Sequence, residues 1–392
     1  MVWVVAHVID ITLWCIAAFS VGYIFFYAIT YALGPIHSFI KKTNIKNNKK
    51  GERRFLIIFP AYGEDKVIHR TITSFLEQEY PKDKFSVIVV SDHMSKETNA
   101  KLSELPITLL QPQFEKSSKA KALQFAFDNT NDDFDNIVIL DADNIVNHDF
   151  LDKLNEICNN GFIAIQCHRC AKNADNKIAQ LDGVSEEINN SLFRKGHNNI
   201  GLSSALIGSG MCFDFQWFKS HVHQLSTAGE DREIEKMLIK ERIFIKYVEC
   251  IDVFDEKVGN EENFKRQRQR WMSAQLNCWL SMIENLPMAI LHFNINYIDK
   301  TIQQMLIPRS MLIVGTFAWS IIMSVVAMTW AYKWWLLFGL TALSLLIAIP
   351  RKMRNGSILR LITYLPRLTW KMISNIRHID SKNSEFIHTS HE

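Results

Sequence analysis

Apolar positions along this chain follow two rhythms, and each predicts a different kind of element. Ile11 to Tyr31 holds no charged residue, enough helix to cross a hydrocarbon core about 30 Å thick. A second apolar block runs from Met311 to Trp330 and a third from Trp334 to Ile349, with Tyr332-Lys333 as the expected turn between them. Between the first two blocks the rhythm shortens. Phe55 to Phe59, Phe85 to Val90, Ile137 to Leu140 and Phe162 to Gln166 are apolar runs of strand length, and Pro60 is expected to end the first. Helical spacing returns at Val67 to Gln78, where Val67, Ile68, Ile72, Phe75 and Leu76 share a face, and again at Lys119 to Phe127. This βαβαβ order predicts one α/β domain built on a mainly parallel sheet with right-handed crossovers. No internal repeat or low-complexity linker divides it.

Charge orients these elements against a membrane. Lys41, Lys42, Lys46, Lys49, Lys50, Arg53 and Arg54 crowd behind the first block, against Glu52 alone. Positive loops stay in the cytoplasm, so the N-terminus is expected outside and the soluble domain inside. Arg351, Lys352 and Arg354 mark a second return after Pro350. Each such residue at mid-bilayer would cost about 2.5–3.5 kcal/mol, so three crossings of the cell (inner) membrane satisfy both clusters. The first block lacks the basic lead-in and small-residue cleavage pattern of a signal peptide, which favours a retained anchor. A net charge of +3 over 392 residues offers no case for a nucleic-acid partner. Seven cysteines are scattered, and Cys167-x-x-Cys170 has no second pair at zinc-finger spacing, so it reads as structural. His378, His388 and His391 read as surface residues.

The candidate chemistry sits where strands end. Asp141-Ala142-Asp143 follows the Ile137 to Leu140 run directly. In open α/β sheets ligands gather beyond the carboxyl ends of strands. Two carboxylates one residue apart there suit Mg²⁺ or Mn²⁺, which favour oxygen ligands and bridge to phosphates. Glu230-Asp231 precedes a helical run, Ile234 to Ile239; alone, it reads as acids stabilised by a helix dipole. Gln267-Arg268-Gln269-Arg270-Trp271 leads into a more apolar helix, Leu276 to Leu286, and alone reads as a basic face at a membrane surface. The G-x-G-x-x-G and P-loop patterns are missing, and Gly208-Ser209-Gly210 is a short glycine turn. That argues against a dinucleotide oxidoreductase or a P-loop ATPase.

Taken in order, Asp92, Asp141-Ala142-Asp143, Glu230-Asp231 and Gln267-x-x-Arg270-Trp271 resemble the membrane-bound glycosyltransferase family 2 enzymes, the group that contains cellulose, chitin and hyaluronan synthases. The resemblance covers about residues 55–271, and the flanking membrane blocks match the group's layout. It implies a GT-A-like fold and assigns roles. Pro60, Ala61, Tyr62 and Glu64 would lie where the nucleotide is held, and Asp92 would accept a hydrogen bond from its base, by family habit uracil. Lys119 would stand near the diphosphate. Asp141 and Asp143 would hold Mg²⁺ or Mn²⁺, and Gly208, Ser209 and Gly210 would let the acceptor approach the backbone. Asp231, beside Glu230, would be the general base. Gln267, Arg270 and Trp271 would bind the nucleotide-sugar, Arg270 by stabilising the leaving diphosphate, while Trp271 would also stack an acceptor sugar. Phe386, Thr389 and His391 resemble the gating loop of processive members, with His391 where the family carries lysine.

These readings divide the chain into an anchor (1–36), a basic linker (37–54), a catalytic domain (55–280), an interfacial amphipathic helix (281–306), a membrane hairpin (307–350), interface helices (351–379) and a gating-like tail (380–392). The expected activity is inverting, metal-dependent sugar transfer from a nucleotide-sugar, by family habit a UDP-sugar, giving a β-glycoside in polysaccharide or cell-surface glycan synthesis. Single addition to a lipid acceptor and a catalytically silent scaffold for a partner synthase stand as alternatives. Membrane lipids are expected around the helices, and a partner subunit or homo-oligomer could complete a channel wall.

Overall fold

The computed structural model describes residues 2–36, 51–130, 133–227, 229–257, 259, 261–354, 366 and 369–370. The apolar helix α1 (Val2–Leu33) precedes β1 (Phe55–Tyr62), α2 (Ile68–Leu76), β2 (Phe85–Asp92), α3 (Lys96–Ser103) and β3 (Thr108–Leu110). There follow α4 (Lys119–Asp128), β4 (Asn136–Ile139), β5 (Ile145–Val146), α5 (Phe150–Asn159), β6 (Ala164–Ala171) and α6 (Lys177–Asn189). A π-helical stretch, Asn190–Gly196, leads to α7 (His197–Asn199), β7 (Met211–Asp214), α8 (Phe215–His221), α9 (Glu230–Lys240) and β8 (Ile245–Asp255). Then come α10 (Glu261–Ile283), α11 (Leu286–Leu291), α12 (Ile295–Met305), α13 (Arg309–Val326) and α14 (Met328–Ala348).

The eight strands form one sheet in the order β3-β2-β1-β4-β7-β6-β8-β5. Strands β3, β2, β1 and β4 run parallel, β7 is antiparallel to both β4 and β6, and β6 pairs parallel with β8. Both faces are covered, which explains the unbroken apolar runs. On one face Leu56, Ile58, Val90 and Ile139 pack with Leu123 and Phe127 of α4. On the other, Ile57, Phe59, Val89 and Val138 meet Ile72 and Phe75 of α2 and Leu154 of α5. Pro60 does not end β1; it pairs with Val90, and the strand continues to Tyr62. The Leu140 N–H donates to the Ile58 carbonyl, so Ile58 and, two residues on, Pro60 face the β4 side. There β4 has already ended, and a missing N–H costs no ladder bond.

Among the described residues, three helices are long and apolar enough to cross a membrane: Val4–Leu33, Arg309–Val326 and Met328–Ala348. The break between the last two falls at Ala327 (φ −154°, ψ 84°), not at Tyr332-Lys333. Lys333 donates to Asp10 of α1, whose other carboxylate oxygen accepts from Trp334 at 2.8 Å and Trp319 at 3.2 Å. With its charge answered inside the bundle, Lys333 need not mark a turn in water.

Helix α1 is tied to the soluble domain by a buried polar cluster. Tyr27 stacks on His197 at 3.6 Å with the rings 3° apart, and its hydroxyl donates to Asp299 Oδ1 of α12 at 2.5 Å. Tyr23 donates to the same oxygen at 2.9 Å, and His197 Nε2 lies 3.0 Å from Asp299 Oδ2. A Cβ on Gly196 would stand 2.8 Å from the Tyr27 carbonyl, so only glycine permits this approach. The linker lysines 41–50, most of the 351–379 interface segment, and the tail with Phe386, Thr389 and His391 lie outside the described residues.

Candidate active site

The carboxyl ends of β1, β2, β4 and β8 open into a cavity of about 1030 Å³. Pro60, Ala61, Tyr62, Glu64, Asp92, Lys119, Asp141, Asp143, Gly208, Glu230, Asp231, Gln267, Arg270 and Trp271 all line it. Ser209 and Gly210 do not; both are buried behind the wall.

Sheet ends and turns position each group. After β4 the chain bends so that the Asp141 N–H donates to Asn144 Oδ1 at 2.9 Å. Asp143 turns inward, accepting from Asn144 Nδ2 at 3.2 Å and from the Glu256 N–H at 2.9 Å. Asp255, the last residue of β8, joins them: one oxygen of each of the three carboxylates lies within 4.8 Å of the others. Burial alone would raise the Asp255 pKa, but Arg169 at 2.7 Å and Lys257 at 2.9 Å hold it well below the usual carboxylate range. The motif reading missed Asp255. Its run, Ile251 and Val253 separated by Asp252, lacks the unbroken apolar stretch that marks Asp141.

Lys119 opens α4 and bridges the acids. Its ammonium donates to Asp141 and, at 2.5 Å, to the Gly208 carbonyl, and lies 3.6 Å from Glu230 Oε1. Burial works against that charge, yet Asp141 and Glu230 raise its pKa overall. Glu230 and Asp231 occupy the first turn of α9. Glu230 is raised overall to about 7: burial and neighbouring Asp231 push it up, while Lys119 pulls it down. Asp231 Oδ2 accepts from the Gly208 N–H at 3.1 Å, and Oδ1 from the Arg232 N–H at 2.8 Å.

The glycine turn makes this possible. Gly208 and Gly210 adopt φ of +43° and +64°, and a Cβ on Gly210 would meet Val253 at 3.0 Å. Gln166 of β6, another residue the motifs did not flag, fixes the turn. Its oxygen accepts from the Ile207 N–H at 2.9 Å, and its amide donates to the Ser209 carbonyl at 2.9 Å.

Opposite the acids, α10 presents Gln267, Arg270 and Trp271 to the cavity. Gln267 Oε1 is buried without a hydrogen bond, and half-buried Arg270 has no partner among the described residues. The Arg268 guanidinium lies 4.5 Å over the Trp271 ring. On the nucleotide side, Asp92 ends β2 and faces His93 Nδ1 at 2.6 Å, while the His93 and Tyr62 rings are 4.9 Å apart.

A mostly parallel sheet with acids at its carboxyl edge, helices on both faces and a large cavity beyond defines a GT-A-type fold. A family model described as glycosyltransferase like family 2 matches residues 53–274, and the chain belongs to that family. Its three apolar helices fit a membrane-bound member. The probable glycosyltransferase YdaM of Bacillus subtilis is 29% identical over an alignment of 106 residues, covering 25% of this chain and 25% of that one. The match thus spans about a quarter of that relative's length. Among solved structures, the mannosyltransferase PcManGT of Pyrobaculum calidifontis, in complex with GDP-Man and Mn²⁺, is similar in fold. It aligns with a TM-score of 0.50 at 15% identity, covering 86% of this chain and 97% of that one.

Proposed function

We propose that this glycosyltransferase moves a sugar from a nucleotide-sugar, a UDP-sugar by the family resemblance, to an acceptor hydroxyl at the cytoplasmic membrane face with inversion. The observation that carries this reading is the meeting of Asp141, Asp143 and Asp231 in one cavity with Arg270, whose guanidinium has no partner among the described residues. Asp231 takes the proton of the acceptor hydroxyl as its oxygen attacks the anomeric carbon. The bond to the diphosphate breaks on the far side, so an α-linked donor gives a β-glycoside. Arg270 receives the departing diphosphate, and the buried Gln267 Oε1 accepts from a donor or acceptor hydroxyl. Asp92, Tyr62 and Glu64 lie where the base and ribose are held.

The donor set suits a hard divalent cation, because oxygens of Asp141, Asp143 and Asp255 converge; an ion bound there would share Asp141 with the Lys119 ammonium. Asp141 and Asp143 would hold Mg²⁺ or Mn²⁺, the latter in keeping with the neighbour's complex, and the ion would supply Lewis-acid neutralisation of the diphosphate. The test is nucleoside-diphosphate release by detergent-solubilised protein across a panel of nucleotide-sugars, with either metal or with chelator. Metal-dependent release from one donor, lost in Asp231→Asn, supports transfer. Near-normal turnover in that variant would sink the base assignment.

Glycan extension is the first reading of the acceptor. A second, a lipid acceptor, is favoured by the apolar walls of the same cavity where it meets α13 and α14.

A further inference from the structure

Beyond Trp271 the cavity changes character. Its walls become Val184 and Ile188 of α6, Ile313 of α13, and Ala342, Leu345 and Leu346 of α14. Two of those helices are among the three described ones apolar enough to cross a membrane, and Leu346 is 53% exposed. Arg309, the first residue of α13, lines the same cavity.

Arg309 is incompletely answered by protein. Nη2 donates to the Ser185 carbonyl at 3.2 Å and to its hydroxyl at 3.3 Å, and the guanidinium lies 5.7 Å over Phe193. Nη1 is buried and has no hydrogen bond. Arg268, lining the same cavity, is paired with Asp182 through Nη2, but its Nε is likewise buried without a partner. The like charges of Arg268 and Arg194 act on Arg309, and Glu186 is the carboxylate that opposes them. A buried donor without an acceptor costs about 1–3 kcal/mol, more when charged, and native structures rarely leave one without a reason. Two guanidiniums with open N–H edges suit an anion with several oxygens, which phosphate provides. The N-terminal end of an 18-residue helix adds favourable potential at the same place.

We propose that this end of the cavity binds the acceptor as a phosphate-headed lipid. The phosphate sits on Arg309 and the open edge of Arg268, the hydrocarbon chain lies against Ile313, Leu345 and Leu346, and a hydroxyl-bearing group beyond the phosphate points toward Asp231. This rests on the transfer reading and names its substrate class. In the transfer the acceptor oxygen bonds to the anomeric carbon, the hydroxyl proton goes to Asp231, and the nucleoside diphosphate leaves with the bonding pair.

The experiment measures binding of three probes to the full chain in maltoside micelles: dioctanoyl phosphatidic acid, dioctanoylglycerol and inorganic phosphate. Phosphatidic acid is expected to bind at least about tenfold more tightly than either of the others, the size expected for one charge-assisted hydrogen bond. Arg309→Gln removes that preference and Arg309→Lys restores part of it, while Ala342→Trp fills the apolar end and releases the lipid. Equal binding of dioctanoylglycerol overturns phosphate recognition. Equal binding of inorganic phosphate reduces the site to a free-anion site, and an unchanged Arg309→Gln removes the assigned residue. Metal-dependent binding of nucleotide-sugar by the same wild-type preparation tests the transfer reading separately.

Discussion

The membrane bundle and the cavity both bury charge, and they treat it in opposite ways. Asp10 is 3% exposed and meets three donors, Lys333, Trp334 and Trp319, so both its oxygens are satisfied by protein. Around the cavity, Gln267 Oε1, Arg268 Nε and Arg309 Nη1 are buried without hydrogen bonds. Desolvation penalises both regions alike, so the difference lies in what completes them. A closed polar cluster fixes helices against each other, whereas one with open valences is finished by a ligand.

The largest effect should come from the open side. Asp231→Asn is expected to lower transfer by about 10²–10⁴-fold while nucleotide-sugar binding, measured by equilibrium titration, survives. Asp10→Ala probes the closed side and should leave the part-buried Lys333 without its counter-charge. That costs about 3–5 kcal/mol, read as a lowered Tm of the solubilised protein, and Asp10→Ala combined with Lys333→Met should recover most of it. Tyr27→Phe removes one donor from Asp299 while leaving Tyr23 and His197 in place, so a smaller loss of about 1.5–3 kcal/mol is expected in the same assay.

The last prediction concerns pH. Glu230 is raised from 4.5 to about 7, so between those values the folded protein keeps a proton that the unfolded chain has released. Its contribution to stability is therefore full below pH 4.5 and lost as pH rises through 7. Glu230→Gln should flatten that segment of the stability–pH curve. An identical curve in the variant would show that another group titrates there.

Much of the fold could be read in the sequence, for reasons that also explain the failures. β1, β2 and β4 are buried on both faces and carry largely apolar runs, while β6 shows such a run only at its start, before Gln166, His168 and Arg169. β8 was missed because its run is interrupted by Glu249, Cys250 and Asp252, where it passes a register shift against β6 and Cys167 gives way to His168. Asp141, Asp143, Glu230 and Asp231 announced themselves through local motifs. Asp255 and Gln166 did not, because their meaning depends on strands distant in sequence becoming neighbours in the sheet. The helix break was misplaced for the same kind of reason. Lys333 looks like a residue that must reach water until Asp10 is set beside it.

That pairing also bears on how the protein is made. Asp10 and Lys333 are 323 residues apart, so at ribosomal speeds of 5–20 residues per second the acid waits roughly 15–65 s in the bilayer for its partner. During that interval α1 carries an unanswered carboxyl group, and any insertase or chaperone attending the nascent chain must shelter it until α14 emerges.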